Sequence, residues 1–491
     1  MSLDARTPVI IGAGQVNQRT TTEEGVDPVA LMAQAVRRAA EPHVLRAVDS
    51  IRVVNLLSWR YRDPGRLLGA HIGAEPSSTI YSGVGGNVPQ SLLNAACLDI
   101  QAGRTELVLL AGAETWRTRT RLRAESRRPD WPRQDDSVPV ASGGGDVPMA
   151  SAADERIGLD RPAFVYPLFE QAVRVDNGEG IQAHRERIGE LWSRFSQVAA
   201  GNPHAWNRTH VEPKVIWQPS AANRMISWPY TKLLNSNNMV DQAAVVVLAS
   251  AEAAARLRVA RDRWLFPWSG TDAHDTFEID RRLEYHRSPA IRIAGERALA
   301  LAGTHIDDVE LIDLYSCFPS AVQIAARELG LSLDDTSRPL TITGGLTFAG
   351  GPWNNYVMHS IATMAELLPA RGPAVGLITA NGGYLTKHSM GVYGTEPPST
   401  PFQWEDVQAT VDSEPVRQSA IGWAGTGEVE TWTVPFTREG EAERMFLAVR
   451  TPDGSRALAV VTDPGQAAAG AKDDLAGATV RVSADGIAHL L

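Results

Sequence analysis

Cysteine is scarce in this sequence, which has only Cys97 and Cys317 among its 491 residues. Two thiols so far apart cannot form the disulfide framework of a small secreted protein, and such scarcity is typical of cytosolic proteins. The Cys and His spacing of a four-ligand zinc site is also absent. We therefore expect a cytoplasmic protein that holds no metal ion.

Long apolar runs and an excess of positive charge are missing as well. No apolar run reaches the roughly 18 residues needed to cross a bilayer, and the start of the chain lacks the cationic segment and apolar core of a signal peptide. With 47 basic and 57 acidic side chains, the net charge is −10. These absences disfavour a membrane protein and a nucleic-acid-binding body.

What is present is the composition of an ordinary globular chain, together with an internal repeat. Residues 85–114 and 350–383 each have a Gly-Gly turn, a helix-length stretch with apolar or small residues at i, i+3 and i+4, a glycine, and a short apolar run. The repeat predicts two related α/β halves. One comprises residues 1–118 and 236–266, and the other comprises residues 267–395.

The segment between the two parts of the first half has a different amino-acid composition. Residues 119–235 contain a helix candidate at 182–200 and many tryptophans, and seven arginines lie between positions 117 and 133. We predict that this segment is an insertion, called the loop domain below, and that it lies over the first half.

A proline-rich stretch precedes an all-β end of the chain. Pro397, Pro398 and Pro401 indicate a linker at residues 396–416. Residues 417–491, called the tail below, alternate in the manner of about five short strands, which predicts a small OB-like barrel, with a small β-sandwich as the alternative. A linker of this kind also predicts that residues 1–395 fold without the tail.

Three segments resemble the thiolase superfamily, nearest to thiolases of the sterol-carrier-protein type. They are ERALALAGTHIDDVELIDLYSCF, which ends at Phe318, NNMVDQAA at 237–244, and TGGLTFAGGP at 343–352. The resemblance covers about residues 6–395 and implies a thiolase fold, with two βαβαβαββ halves in five αβαβα layers and an inserted loop domain. It also implies acyltransferase chemistry on acyl-CoA in lipid metabolism, through a cysteine, a histidine and a second cysteine.

The same resemblance places the family's chemical positions on residues that cannot do this chemistry. The nucleophile falls on Gly86, the histidine of Gly-His-Pro on Gly351, and the second cysteine on Ala380. Tyr315 replaces the first histidine of the oxyanion motif. We therefore expect no ordinary thiolase activity, and whether the protein is an enzyme of another kind stays open.

Other polar residues near these motifs are the remaining candidates. Tyr315 either lines a pocket or serves as a structural hydroxyl, and Asn381 either donates from its amide or shapes the backbone. His388 is predicted in a loop, where it faces the cavity or the solvent.

For ligand binding, the resemblance favours Cys317 as a supporting residue. The arginine cluster, with Arg117, Arg121 and Arg123, favours contacts to the phosphates of coenzyme A, and a solvated basic loop is the alternative.

These observations give three functional hypotheses. The first is a protein that binds acyl-CoA or a related thioester, and the second is a non-catalytic scaffold subunit for a partner enzyme. The third is nucleic-acid binding through the tail, which a count of 6 basic against 10 acidic side chains from residue 428 to the end makes unfavourable. Homodimer and monomer both stay open, because the tail could cover the edge strand at 79–83 through which thiolases usually dimerise.

Overall fold

The computed structural model describes residues 3–21, 24–141, 143 and 149–491. The first half begins with β1 (Pro8–Asn17), α1 (Pro28–Ala39), α2 (Pro42–Arg46), β2 (Ser50–Val53), α3 (Pro64–Ile72), β3 (Ser78–Tyr81), α4 (Val88–Gln101), β4 (Leu107–Thr115) and α5 (Trp116–Ala124). The loop domain contributes α6 (Ala152–Ile157), α7 (Pro162–Asp176), α8 (Ile181–Gly201), α9 (Pro213–Trp217), β5 (Met225–Trp228) and β6 (Tyr230–Thr231). The first half then ends with β7 (Asp241–Ser250) and α10 (Ala251–Arg256).

The first sheet has the strand order β1-β7-β4-β2-β3. Strand β7 runs antiparallel to β1 and β4, whereas β2 is parallel to both of its neighbours. Every residue of β4 and β7 is buried, because helices cover both faces of the sheet.

The second half repeats this plan with β8 (Phe266–His274), α11 (Pro289–Ala302), β9 (Leu311–Asp313), α12 (Pro319–Glu328), α13 (Gly345–Phe348), α14 (Tyr356–Leu367), β10 (Val375–Gly382) and β11 (Lys387–Gly394). Its sheet has the order β8-β11-β10-β9, with one further strand beyond β8. Several helices start with the same arrangement, in which the N-cap side chain is followed by a proline at the first helical position. Asp27 caps α1 in this way and Ser288 caps α11, each accepting hydrogen bonds from main-chain N–H groups of the first turn.

The two halves stack in five layers. Helices α4 and α14 contact strands of both sheets and form the central layer, α1 and α3 cover the outer face of the first sheet, and α11 covers the outer face of the second. Strand β4 shows the alternation directly: Leu107 and Leu109 pack in the outer layer with α1, while Val108 and Leu110 face α4. The two α/β halves predicted from the repeat and the thiolase fold that the resemblance implied are both confirmed.

Residues 396–416 are not a free linker, which corrects the interpretation of the prolines. They contain β12 (Gln403–Asp406), which adds to the second sheet in parallel with β8, and α15 (Gln408–Val411). Phe402 and Val407 are buried in the body's core. Prolines mark a turn, but they do not determine whether the apolar residues that follow them pack on the body.

The tail has the five predicted strands, here β13 (Gly425–Pro435), β14 (Met445–Arg450), β15 (Arg456–Val461), β16 (Thr479–Val482) and β17 (Ala488–Leu490), and also α16 (Pro464–Gly470) between β15 and β16. The sheet order is β15-β14-β13-β16-β17, and a parallel bridge from Val460 to Ile487 joins its two ends. The sequence interpretation missed α16, whose start is capped by Asp463.

The tail has an apolar core cluster of its own, which Trp228 of the loop domain joins, but other apolar residues of the tail pack on the body. Phe446, Ala448 and Val460 belong to the core cluster of the body, and β13 pairs with β5 of the loop domain. The expectation that residues 1–395 fold alone is therefore not supported, because the tail covers apolar surface of the body.

The loop domain lies over more than the first half. Its helices α7 and α8 pack on α12 of the second half, and α7 also packs on β13 of the tail. Its beginning contacts the first half, where Trp131 packs edge-on against Trp59 with 5.2 Å between ring centroids, and so do residues 204–206, whose carbonyls accept hydrogen bonds from Asn17 and Arg19. The prediction was wrong for the helices because their apolar faces match distant surfaces that local spacing does not specify.

Strand β3 is the edge of the first sheet, and the loop domain, not the tail, reaches it. Gly143 donates its main-chain N–H to the carbonyl of Tyr81 at 3.0 Å and bridges Ser82. In the part of the chain that the structure describes, no helix has the length and apolar character needed to span a membrane.

Candidate functional site

The fold brings together three of the residues that the sequence singled out. Gly86 lies in the turn before α4, Tyr315 follows β9, and Asn381 lies near the end of β10. Strands β9 and β10 are parallel neighbours, so their carboxyl ends meet at one edge of the sheet, and the N–H of Tyr315 donates to the hydroxyl of Thr379 at 2.9 Å. The turn before α4 packs against this edge, where a Cβ at Gly382 would lie 3.1 Å from the nitrogen of Gly86.

There is no room for a side chain at position 86. A Cβ there would overlap the carbonyl oxygen of Asn381 and the phenol oxygen of Tyr315, and it would lie 3.0 Å from the Tyr315 Cζ. The Tyr315 ring is fixed edge-on to Tyr356, with 5.4 Å between centroids. Burial raises the pKa of the Tyr315 phenol, which therefore stays protonated.

Asn381 is held by the loop domain. Its Nδ2 donates to the phenol oxygen of Tyr166 at 2.9 Å and lies 3.7 Å from the sulfur of Cys317. The same phenol oxygen accepts the N–H of Leu385 at 2.8 Å. Sequence reasoning missed Tyr166, because 215 residues separate it from Asn381 and no local motif connects the two.

His388 lies in β11 and not in a loop, which corrects the prediction. It pairs with Asn381 across the β10–β11 ladder and is 1% exposed. Its Nε2 lies 3.3 Å from the carbonyl oxygen of Leu385 and 3.6 Å from an oxygen of Asp275. The Gly-rich turn resembles a loop in sequence, but the strand resumes immediately after it.

Gly351 and Ala380 complete the family positions. Ala380 is buried beside Asn381, whereas a Cβ at Gly351 would lie 3.0 Å from Oδ1 of Asn238. Asn354 connects this segment to the turn before α4, because its Oδ1 accepts the N–H of Gly85 at 3.1 Å. None of the four residues that the resemblance places at the family's chemical positions (Gly86, Tyr315, Gly351 and Ala380) carries a thiol or an imidazole.

The space left at this site is a cavity of only about 10 Å³, which Tyr315, Asn381 and His388 help to line. A cavity of this size holds one water molecule at most. Beside it, Phe318 stacks between Tyr166 at 4.4 Å and Tyr230 at 5.6 Å, and all three rings are buried. Tyr315 and Ala380 therefore line only this small space, whereas a separate cavity of about 450 Å³, lined by Asn87, Ser91 and His388, lies beside the start of α4.

Neither thiol can act as a nucleophile in this state. Burial raises the pKa of Cys97 well above its usual range and that of Cys317 to about 12, so both remain thiols at neutral pH. Cys97 is fully buried inside α4, away from the start of the helix where the dipole would favour a thiolate.

The predicted ligand-binding arginines lie on α5, and none of them lines the 10 Å³ cavity. Arg117 donates to the carbonyl of Thr20 at 2.9 Å, and the Arg121 guanidinium lies 3.4 Å from the carboxylate of Glu125. Arg123 is exposed. The structure therefore separates these arginines from Cys317 and Tyr315.

A buried ionic network in the loop domain was also missed. The His184 ring lies between Oε1 of Glu170 and Oε2 of Glu179, each 2.6 Å from a ring nitrogen. Gln323 of α12 also donates to Glu170 at 2.6 Å. Burial opposes ionisation of Glu170, yet the contacts from His184 hold its pKa below the usual range. The network ties α7, α8 and α12 together, and Gln323 is the one of these four residues that lies far away in sequence.

A second buried carboxylate lies at the end of β4. Glu114 accepts the N–H groups of Leu57 at 2.7 Å and Ser58 at 2.8 Å. Burial raises the pKa of Glu114 to about 7, although these hydrogen bonds oppose the shift. Among the described residues, no group of three or more His, Cys, Asp or Glu side chains could hold a metal ion.

Comparison with known proteins adds a family and a set of solved structures. Residues 406–487 match the model of the thiolase-like protein type 1 additional C-terminal domain. A monomeric SCP2-thiolase like protein type 1 from Mycobacterium smegmatis is 30% identical, with 100% of each chain covered and a TM-score of 0.85. A search of curated protein sequences finds no match.

Two more distant structures are similar in fold alone. The Ltp2-ChsH2(DUF35) aldolase is 20% identical, with 80% of this chain and 98% of that chain covered and a TM-score of 0.58. An acetyl-CoA acetyltransferase from Syntrophomonas wolfei is 16% identical, with 79% and 99% covered and a TM-score of 0.57.

Proposed function

Because this chain belongs to the SCP2-thiolase-like protein type 1 family, we propose that it binds an acyl-CoA or a related thioester and does not catalyse the thiolase reaction. The observation that carries this proposal is the packing of Tyr315 and Asn381 against Gly86. A protein that condensed or cleaved acyl groups through a thiolate would need a side chain and a cavity at this position. Residue 86 has no side chain, and the cavity that Tyr315 and Asn381 line is only about 10 Å³.

The exposed part of the basic helix supports the choice of ligand. Arg123 is exposed, and the Arg121 guanidinium lies 3.4 Å from the carboxylate of Glu125. Guanidinium groups fit the phosphates of coenzyme A through paired hydrogen bonds. The thioester arm would then lie along the surface of the loop domain and not at the family positions.

The test is a calorimetric titration of coenzyme A and acetoacetyl-CoA, run beside a thiolysis assay. We expect binding that weakens with added salt, and no thiolysis above background. The double variant Arg121→Ala with Arg123→Ala should weaken binding about tenfold, and Lys232→Ala serves as the control for loss of one charge. Absence of binding at millimolar ligand, or robust thiolysis with a trapped acyl-enzyme, would overturn the proposal.

A scaffold role is the second candidate. It is supported by the aldolase neighbour, which is described as an assembly of Ltp2 with ChsH2(DUF35). Mixing this chain with a DUF35-type partner and measuring the mass of the product by light scattering tests it, and two unchanged separate masses would contradict it. The third hypothesis, nucleic-acid binding through the tail, is unfavourable because acidic side chains outnumber basic ones there.

We further propose a monomer in the cytoplasm. The monomeric state is described for the M. smegmatis relative. The hydrogen bond from Gly143 to Tyr81 supports it, because this contact occupies the end of the β3 edge that a second chain would pair with. Light scattering of the isolated protein tests this, and a mass of two chains would contradict it.

A further inference from the structure

A separate cavity of about 530 Å³ lies between α8 of the loop domain and residues 333–341 of the second half. Its apolar wall consists of Leu191, Phe195, Val198, Leu333, Pro339 and Leu340. None of Gly86, Tyr315, Asn381 and His388 lines it. The volume is within the range of about 300–1000 Å³ that is usual for small-molecule sites.

Two arginines at this cavity are fixed by main-chain carbonyls. Nη2 of Arg194 donates to the carbonyl of Leu333 at 2.6 Å, and Nη2 of Arg338 donates to the carbonyl of Val309 at 2.7 Å. Nη2 of Arg338 also donates to the carbonyl of Ile306. Each guanidinium is therefore held by one nitrogen, and among the described residues its other nitrogens have no hydrogen-bond acceptor, so they can donate to a ligand. Because they are held before binding, little side-chain entropy is lost when an anion arrives.

One carboxylate opposes these two cations. Asp335 is the only acidic residue among the described residues that line the cavity, and its Oδ1 accepts the N–H of Ser337 at 2.9 Å and the Ser337 hydroxyl at 2.6 Å. The lining therefore has a net charge of +1. This matches the single negative charge of a carboxylate better than the charge of about −2 on a phosphate monoester.

A wider cavity of about 1300 Å³ between the tail and the loop domain is different. Its lining has a net charge of +2, from five basic residues against Glu439, Glu441 and Glu443, and the three glutamates lie among the cations at residues 438–444. The 530 Å³ cavity differs from this wider cavity because it combines an apolar wall with two arginines that main-chain carbonyls hold in position.

We propose that the cavity between α8 and residues 333–341 binds an unbranched fatty acid, with the alkyl chain against the apolar wall and the carboxylate on Arg194 and Arg338. This site is separate from the family positions and from α5, and its ligand needs no coenzyme A. The inference therefore goes beyond the proposed function, and it can hold or fail independently of acyl-CoA binding.

The first experiment titrates the full-length protein with octanoate, decanoate and dodecanoate by calorimetry, below their micelle concentrations. Each added methylene should tighten binding about threefold to fourfold while it enters the apolar wall. Dodecyltrimethylammonium, which has the same chain and the opposite charge, should bind at least about tenfold more weakly than dodecanoate. Dodecyl phosphate tests the head group and should also bind more weakly than dodecanoate.

The second experiment uses variants of the lining. Arg194→Gln and Arg338→Gln keep a donor for the carbonyls but remove the charge, and each should weaken dodecanoate about tenfold. Val198→Phe fills the cavity and should remove measurable binding. Arg128→Ala, on an exposed arginine outside the cavity, is the matched control and should leave the affinity unchanged.

Thermal unfolding of each variant checks that it is folded. If Val198→Phe is not folded, the two Arg→Gln variants still test the inference. No heat of binding with dodecanoate at millimolar concentration overturns the inference. Equal affinity for the cationic amphiphile, tighter binding of dodecyl phosphate, or unchanged affinity in folded Arg→Gln variants does so too.

Discussion

Arg174 of α7 and Asp474 of the tail form a two-pronged ion pair across the boundary between the loop domain and the tail. Nη1 of Arg174 donates to Oδ2 of Asp474 at 2.9 Å, and Nη2 donates to Oδ1 at 2.7 Å. The Arg174 side chain is only 3% exposed, and its Nε also donates to Gln171. The pair therefore joins two units that the sequence presents as separate.

Loss of this arginine should weaken the whole protein. Arg174→Ala removes the ion pair and leaves the partners of a buried guanidinium unsatisfied, which should lower the free energy of unfolding by about 1–3 kcal/mol. Arg161→Ala, at the exposed pair with Asp160, should cost less than about 1 kcal/mol. Urea unfolding followed by tryptophan fluorescence measures both, and equal losses would contradict the expectation.

Deletion of residues 400–491 should not leave a folded body. It removes β12 from the second sheet and uncovers apolar core that Phe402 and Phe446 now cover. We expect an insoluble or molten product, detected by the loss of near-ultraviolet circular dichroism and of cooperative unfolding. A soluble product with a sharp unfolding transition would show that the body is independent of the tail.

Substitution at Gly86 should destabilise the fold without giving activity. Gly86→Ala places a Cβ against the Asn381 carbonyl and the Tyr315 phenol, and such overpacking should cost about 1–3 kcal/mol. Gly201→Ala is the control, since nothing lies within 4 Å of a Cβ there, and its effect should be within about 0.5 kcal/mol. Gly86→Cys should show no thiolysis, because position 351 has no imidazole. Normal stability of Gly86→Ala would contradict the packing argument.

The buried network around His184 should be costly to break. His184→Ala leaves the Glu170 carboxylate buried without its imidazole partner, and the loss should be about 3–5 kcal/mol. His204→Ala breaks a comparable contact at 3.0 Å to the more exposed Glu366 and should cost less than about 1 kcal/mol. Chemical unfolding compares the two variants, and a small effect at position 184 would contradict the expectation.

Glu114 should make stability depend on pH near neutrality. Its pKa is raised from 4.5 to about 7 in the folded state, so its contribution is fully present below about pH 4.5 and is lost as the pH rises through about 7. Relative to Glu114→Gln, the wild type should lose about 1.4 kcal/mol per pH unit within this window. Unfolding free energies measured from pH 4.5 to 7.5 test this, and a constant difference between the two proteins would disprove it.

Local patterns predicted much of the fold. The repeated Gly-Gly turn, helix and apolar run correspond to α4 with β4 and to α14 with β10, because a helix and a buried strand each impose their own spacing on apolar residues. The five strands of the tail were predicted for the same reason. The short helix α16 was missed because it has barely two turns and shows no periodicity.

The sequence pointed to the residues of the candidate site but not to their packing. Motif order singled out Gly86, Tyr315 and Asn381, and the structure brings these three residues together. The Tyr315 phenol and the Asn381 carbonyl fill the space at position 86. This packing depends on how β9, β10 and α4 approach one another. Tyr166, which holds Asn381 from α7, has no sequence signal at all.

The sequence by itself determined the two α/β halves, the all-β character of the tail and the absence of a nucleophile at residue 86, because each depends on residue identity or short-range spacing. Only the tertiary structure decided that the tail covers the body, that His388 is buried in a strand and that a cavity lies beside α8. Those features arise where surfaces distant in sequence meet, and their fit depends on the shapes of both partners, which local spacing does not encode.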